Sequence, residues 1–196
     1  MPFQERYRSG NTPWEIHRPD YNLISTVQQT PIAPGRAIDI GCGTGNNAIW
    51  LQQQGFTVMG IDRTELAIVR AREKASEAGV DCTFHVLDFL LDAMPGAPFD
   101  FAFDRGCFHH FQDHDKLVAF AQKVAQVLKD DGLWLTLTGS RDETRPGPGP
   151  PRLSARQIVN AAEPYFRILS IKAGRFDTDQ EVPARNWICL MRKRET

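Results

Sequence analysis

The sequence predicts an α/β protein built on a doubly wound, mostly parallel sheet, and three observations predict it. Short runs rich in β-formers alternate along the chain with stretches of helical periodicity. Four of the strand-like runs end at polar or glycine positions: "AIDI" before Gly41, "MGI" before Asp62, "HVL" before Asp88, and "FAFD" on Asp104. A bare turn, Gly41-Cys42-Gly43-Thr44-Gly45, separates the first of these strands from the helix-like segment after it. Ligands of such sheets bind beyond the carboxyl ends of the strands. The four ends are therefore expected around one crevice.

The elements follow in order. "RAIDI" (36–40) and "TVMGI" (57–61) read as buried strands, with room between Gly43 and Gln54 for about three helical turns. Gly55 stops that helix. Ile68, Ala71, Ala75 and Ala78 recur at three- and four-residue spacing and mark the dry side of a second helix, which Gly79 ends. "CTFHVL" (82–87) and "FDFAFD" (99–104) are the third and fourth strands. Leu117, Phe120, Ala121, Val124 and Leu128 form the apolar stripe of a third helix, and "DDG" then turns the chain into "LWLTLT" (133–138). Residues 139–152 are too rich in Pro and Gly for regular structure. Ser154 and Gln157 pair as a capping box opening a helix to about Ala162. "YFRILSIKA" and "RNWICLMRK" close the chain as an antiparallel pair at the sheet edge.

The chain of 196 residues suits a single domain, 1–196, with residues 1–30 as an N-terminal lid and 139–152 as a flexible loop at the site. Lys and Arg number 23 against 24 Asp and Glu, which gives no electrostatic case for nucleic acid or a membrane surface. No run approaches the ~18 apolar residues of a membrane span, and the N-terminus lacks a secretory apolar core, so a cytoplasmic location is expected. Cys42, Cys82, Cys107 and Cys189 are scattered without metal spacing, so no metal site is expected and they read as reduced thiols.

The glycines carry the chemistry. Gly41, Gly43 and Gly45 admit a left-handed backbone and the close approach of a ligand, beside the unpaired N–H groups of a helix start. An anionic group on the ligand is expected there. A dinucleotide fingerprint would place its third glycine at position 46, where this chain has Asn46, so a nicotinamide-dependent oxidoreductase is disfavoured. Asp62, 21 positions after Gly41, is placed to accept from both hydroxyls of a ribose. Asp88 can accept from an adenine amino group while Phe89 and Leu90 pack on the ring. Asp39 is placed to steady the turn or meet a ligand ammonium through water.

Through "AIDIGCGTGNN", "GIDRT", "VLDFL", "FDFAFDRG" and "LKDDGLWLTL" the chain resembles the class I S-adenosylmethionine-dependent methyltransferases, from Trp14 to Arg192. The resemblance implies a Rossmann-like, seven-stranded sheet with an antiparallel C-terminal strand. It implies S-adenosyl-L-methionine as cofactor, with Asp62 on its ribose and Arg63 beside it. Asp88 then takes the adenine, and the three glycines lie under the methionine part. "PWEIHRPDYNL" and the Asp-Arg-Gly triplet are similar to segments of thiopurine and tellurite-resistance methyltransferases. That similarity implies Trp14 at the cofactor and Arg105 toward the acceptor.

The acceptor side is expected at "FDRGCFHHF", with Asp104, Arg105 and His109 as candidate catalytic residues; His109 is favoured over His110, since neighbours point apart. Arg141 is a candidate clamp for an anionic acceptor. The leading expectation is a small-molecule methyltransferase acting on a thiol or other chalcogen. The rivals are an N- or O-methyltransferase with His109 or Asp104 as base, and a non-catalytic protein that binds the same cofactor.

Overall fold

The computed structural model describes residues 3–146 and 149–195, so Gly147 and Pro148 of the 139–152 stretch lie outside the described residues. Two compact units account for the packing. The first runs to Ala93 and takes in Asp177–Asp179; the second runs from Met94 to Phe176 and resumes at Gln180.

In the first unit, helices α1 (Phe3–Ser9) and α2 (Tyr21–Gln29) precede β1 (Arg36–Ile40), α3 (Asn46–Gln53), β2 (Thr57–Asp62), α4 (Glu65–Glu77) and β3 (Thr83–Val86). The strands lie in the order β3-β2-β1, all parallel, with Asp39 opposite Gly60 and Gly60 opposite Phe84. From Ala37 to Ile40 and from Val58 to Ile61 every residue is buried, as expected of strands covered on both faces. Gly60 is required there: a Cβ would stand 2.6 Å from the Phe84 ring. Gly45 is also close-packed, since a Cβ would stand 3.0 Å from both the Ala71 methyl and the Phe84 ring. The alanine face of α4 lets the glycine turn settle this closely.

In the second unit, β4 (Phe99–Arg105) leads through a 3-10 turn (Phe108–His110) to α5 (His114–Val127), then β5 (Leu128–Gly139), α6 (Ala155–Ala162), β6 (Phe166–Arg175) and β7 (Arg185–Lys193). The order is β4-β5-β7-β6, with β4 parallel to β5 and both later pairings antiparallel. Trp134 centres the core, with ring centroids of Phe108, Phe166 and Phe120 at 5.1, 5.3 and 6.0 Å. Burying one such side chain contributes about 1.5–3 kcal/mol. The seven strands make the expected mixed sheet, mostly parallel and antiparallel at its C-terminal strands.

Two details depart from expectation. Helix α3 starts only at Asn46, because Gly45 is left-handed at φ 82° and cannot extend it. β5 begins directly after α5 at Leu128, and "DDG" lies inside it. The β4–β5 register jumps there from Phe99–Leu128 to Phe101–Leu133, with Asp131 at φ 64°. The N-terminal stretch holds two helices, α2 being capped by the Asp20 carboxylate, which accepts the Asn22 N–H at 2.8 Å. Among the described residues no helix is long and apolar enough to cross a membrane.

Candidate active site

The turn after β1 has Gly41, Gly43 and Gly45 at φ 71°, 54° and 82°. Gly41 is exposed, whereas Gly43 is roofed by Tyr7: a Cβ on Gly43 would stand 2.9 Å from the Tyr7 hydroxyl. Part of the turn is therefore already covered by the chain itself. Asp39, two residues before the turn, is 1% exposed. Cys42 beside it is buried, and that burial, with the Asp39 and Asp62 charges, raises its thiol pKa well above the ordinary value.

Asp62 ends β2. Its Oδ2 accepts the Gly43 N–H at 3.1 Å and its Oδ1 accepts the Thr64 N–H at 2.8 Å. Burial raises its pKa despite these bonds. Arg63 is exposed next to it. Asp88 is half-buried after β3, its Oδ1 accepting the Leu90 N–H at 3.0 Å, and Phe89 behind it is buried. These residues fit an adenosyl ligand in kind. They combine a bare, left-handed turn, a carboxylate tied to that turn, and a second acid followed by an apolar ring. The first unit thus brings Asp62, Gly41, Gly43 and Gly45 together.

Trp14 reaches the turn through Tyr7. It belongs to an aromatic cluster with Phe3 and Tyr7, under the Arg6 guanidinium at 4.3 Å, and its indole N–H donates to the Tyr7 hydroxyl at 3.1 Å. Tyr7 itself stands over Gly43.

The sequence reading also missed Glu15. Its Oε2 accepts from the Thr44 hydroxyl, and its Oε1 accepts from Asn46 Nδ2 at 2.5 Å and from the His17 N–H at 3.1 Å. Lys74 Nζ donates to Thr44 Oγ1 at 2.6 Å and to Asn46 Oδ1 at 3.0 Å, and stands 3.7 Å from Glu15 Oε1. Burial pushes the Glu15 pKa up, but the Thr44 bond, the Lys74 charge and the other donors bring it below the usual carboxylate value. The chain's own carboxylate thus stands beside the start of α3, on the side chains of Thr44 and Asn46. Only the acid in "PWE" hinted at this, because the contact spans 29 to 31 residues.

In the second unit Asp104 is 0% exposed. Its Oδ1 accepts the N–H groups of Cys107 and Phe108 at 3.2 and 3.0 Å, and its Oδ2 accepts the Trp134 indole N–H at 3.0 Å. It holds the turn after β4, and burial raises its pKa to about 6. His109, 3% exposed, accepts the Gly139 N–H on Nδ1 at 2.8 Å. Burial, then the charges of His110 and Arg105, hold its pKa well below the usual value, so the ring is neutral and its proton sits on Nε2. Arg105 is half-buried with its guanidinium 5.4 Å from the Phe176 ring centre, and His109 meets the same ring edge-on at 6.1 Å. Arg105 and His109 thus share Phe176, while Asp104 turns inward.

The described part of 139–152 is anchored. Ser140 bridges Leu153, Glu143 accepts the N–H of Arg185 at 2.8 Å, and Arg145 Nη1 donates to the Val182 carbonyl at 2.7 Å. Arg141 is exposed. Among the described residues no three His, Cys, Asp or Glu side chains gather as metal ligands.

Residues 37–132 match a family described as a methyltransferase domain. Probable thiol methyltransferase 2 of Arabidopsis thaliana is 29% identical over 172 residues, covering 86% of this chain and 75% of the relative. An uncharacterized methyltransferase of Schizosaccharomyces pombe, C977.03, is 38% identical over 111 residues, 55% of this chain and 74% of the relative. A solved structure concerned with the conversion of a disulfide bond into a thioacetal group during echinomycin biosynthesis shares the fold. Its TM-score is 0.84, at 24% identity, over 98% of this chain and 90% of that one. Family match, relatives and fold agree, and the chain belongs to the class I S-adenosylmethionine-dependent methyltransferases.

Proposed function

We propose that this enzyme methylates the sulfur, or another chalcogen, of a small acceptor that arrives as an anion. The carrying observation is the state of His109: a neutral ring whose Nδ1 is occupied by the Gly139 N–H has no lone pair left to take a proton. Asp104 supports the same reading, since its oxygens are engaged by Cys107, Phe108 and Trp134 inside the core. With neither group placed as a base, a thiolate, which needs none, is the favoured nucleophile. Arg105 supplies fixed positive charge to attract and orient it, with Phe176 behind the guanidinium. S-adenosylmethionine, when bound, supplies an electrophilic methyl on a sulfonium. Asp62 is assigned to the ribose, with Arg63 at its side, and Asp88 and Phe89 to the adenine; Gly41, Gly43 and Gly45 lie under the amino-acid end. The name of the Arabidopsis relative agrees with a thiol acceptor. Residues 1–196 are read as one catalytic domain.

A panel of thiols, selenols, tellurite, amines and phenols, followed by formation of S-adenosylhomocysteine, tests the reading. Turnover confined to the chalcogens supports it. Turnover of amines or phenols overturns it, and cofactor binding without turnover of any acceptor points to a non-catalytic binder.

A further inference from the structure

Residues 3–20 meet the glycine turn through a charged side chain. Glu15 is the hub: its two carboxylate oxygens take Thr44, Asn46 and the His17 N–H, and Lys74 bridges the same Thr44 and Asn46 from α4. Around the hub, further contacts fasten the same segment. Arg70 Nη2 donates to the Tyr7 carbonyl at 3.2 Å, the Asp20 N–H donates to Asn47 Oδ1 at 2.8 Å, and Arg18 pairs with Asp177 at 2.7 Å and Asp179 at 2.6 Å. His17 adopts φ 54°, a conformation uncommon outside glycine, and there its own N–H donates to Glu15.

The consequence is geometric. Thr44 lies between Gly43, which Tyr7 covers and Asp62 holds, and Gly45, which packs on α4. A bond from Glu15 to Thr44 therefore fixes the middle of the turn and the placement of Tyr7 over it together. Ion pairs at an exposed surface contribute little. This carboxylate differs, because its side chain is 9% exposed and its oxygens are bonded to three partners.

We propose that Glu15 is a positioning residue for the cofactor: it clasps the N-terminal segment onto the glycine turn, so that docking of the segment and binding of S-adenosylmethionine reinforce each other. This rests on the assignment of the turn to the cofactor. The clasp works without touching the ligand. A change at Glu15 is felt in cofactor affinity and in KM for the cofactor, with kcat at saturating cofactor largely kept.

The test compares the wild-type chain with Glu15→Gln and Lys74→Met. Calorimetric affinity for S-adenosylhomocysteine and hydrogen exchange of the Tyr7–Glu15 amides are measured with and without that ligand. Glu15→Gln is expected to weaken binding about tenfold or more, the scale of losing hydrogen bonds to a charged group. It is also expected to speed exchange in the segment, while in the wild type the ligand slows it. Lys74→Met is expected to do the same to a lesser degree. Affinity in Glu15→Gln within twofold of wild type, or exchange in the segment untouched by ligand, overturns the clasp. Should Glu15→Gln not fold, Thr44→Val removes the same bond from the other side and carries the same expectations. A wild-type chain that fails to bind S-adenosylhomocysteine overturns instead the cofactor assignment on which the clasp depends.

Discussion

The carboxylate of Asp62 accepts the backbone N–H of Gly43 at 3.1 Å, so the acid at the end of β2 and the middle glycine of the β1–α3 turn form one structural unit. The acid assigned to the ribose also shapes the turn assigned to the amino-acid end. Asp62→Ala is accordingly expected to lower affinity for S-adenosylhomocysteine by roughly 1–3 kcal/mol, the scale of losing charge-assisted bonds. It also strands the N–H groups of Gly43 and Thr64. Calorimetric titration checks this, and an unchanged affinity removes Asp62 from the site.

Gly43 carries two constraints at once, φ 54° and the Tyr7 hydroxyl 2.9 Å from where a Cβ would sit. Gly43→Ala is expected to destabilise the chain by about 1–3 kcal/mol, since strain in the left-handed region adds to the clash. Removing the hydroxyl by Tyr7→Phe relieves the clash and leaves the backbone term, although it deprives Trp14 of its acceptor. The double variant Tyr7→Phe/Gly43→Ala is therefore expected to be more stable than the two single losses summed. Thermal unfolding of the four-member cycle measures this coupling. Strict additivity would refute the contact.

Much of this fold was legible because its local signals agree with its packing. "RAIDI" becomes β1 residue for residue, and Ser154 with Gln157 makes the capping box that opens α6. The place of Asp62 as the last residue of β2 was legible, since a parallel strand delivers its last residue to the same edge wherever the strand starts. Asp104 shows the limit. An acid at a strand end reads alike whether it faces a ligand or the indole of Trp134, and only the packed core decides. Glu15 was hidden for another reason: its partners lie 29 and more residues away, and no local pattern encodes a bond between a lead-in segment and a turn. The jump within β5 was missed because "DDG" has turn chemistry, yet the strand passes through it by an irregular register.

The buried acid Asp104 and the buried imidazole of His109 give opposite pH responses. Burial raises Asp104 to about 6. Between about 4, where an unfolded Asp releases its proton, and about 6, the native chain holds a proton that the unfolded chain has lost. In that window Asp104 makes stability fall as pH rises. His109 is held well below its ordinary value, so the unfolded chain binds the extra proton at pH values under about 6.5. Its contribution makes stability rise with pH up to that point. The two offset each other in the wild type, and the difference between Asp104→Asn and wild type isolates the acid. Asp104→Asn is destabilised at low pH, since its amide meets the Trp134 N–H or the turn N–H groups with the wrong polarity. Relative to wild type it should then recover as pH climbs from 4 to 6, at up to about 1.4 kcal/mol per unit. Denaturant titrations across that range test it. A constant difference would mean that Asp104 is ionised throughout.

The acceptor chemistry makes its own prediction in pH. Neither His109 nor Asp104 offers a free lone pair at the surface, so on the proposed reading the acceptor ionises before it meets Arg105. For a series of thiols, kcat/KM is expected to climb tenfold per pH unit up to the pKa of the thiol itself and then level off. The break should move from one thiol to the next in step with their pKa values. Arg105→Ala should leave calorimetric cofactor affinity close to wild type, while kcat/KM for thiols drops by at least the factor of about 10 that a charge-assisted contact supplies. A break fixed at one pH for all thiols would reveal an enzymic base and return the reading to nitrogen or oxygen acceptors. A loss in Arg105→Ala confined to cofactor binding would take Arg105 away from the acceptor.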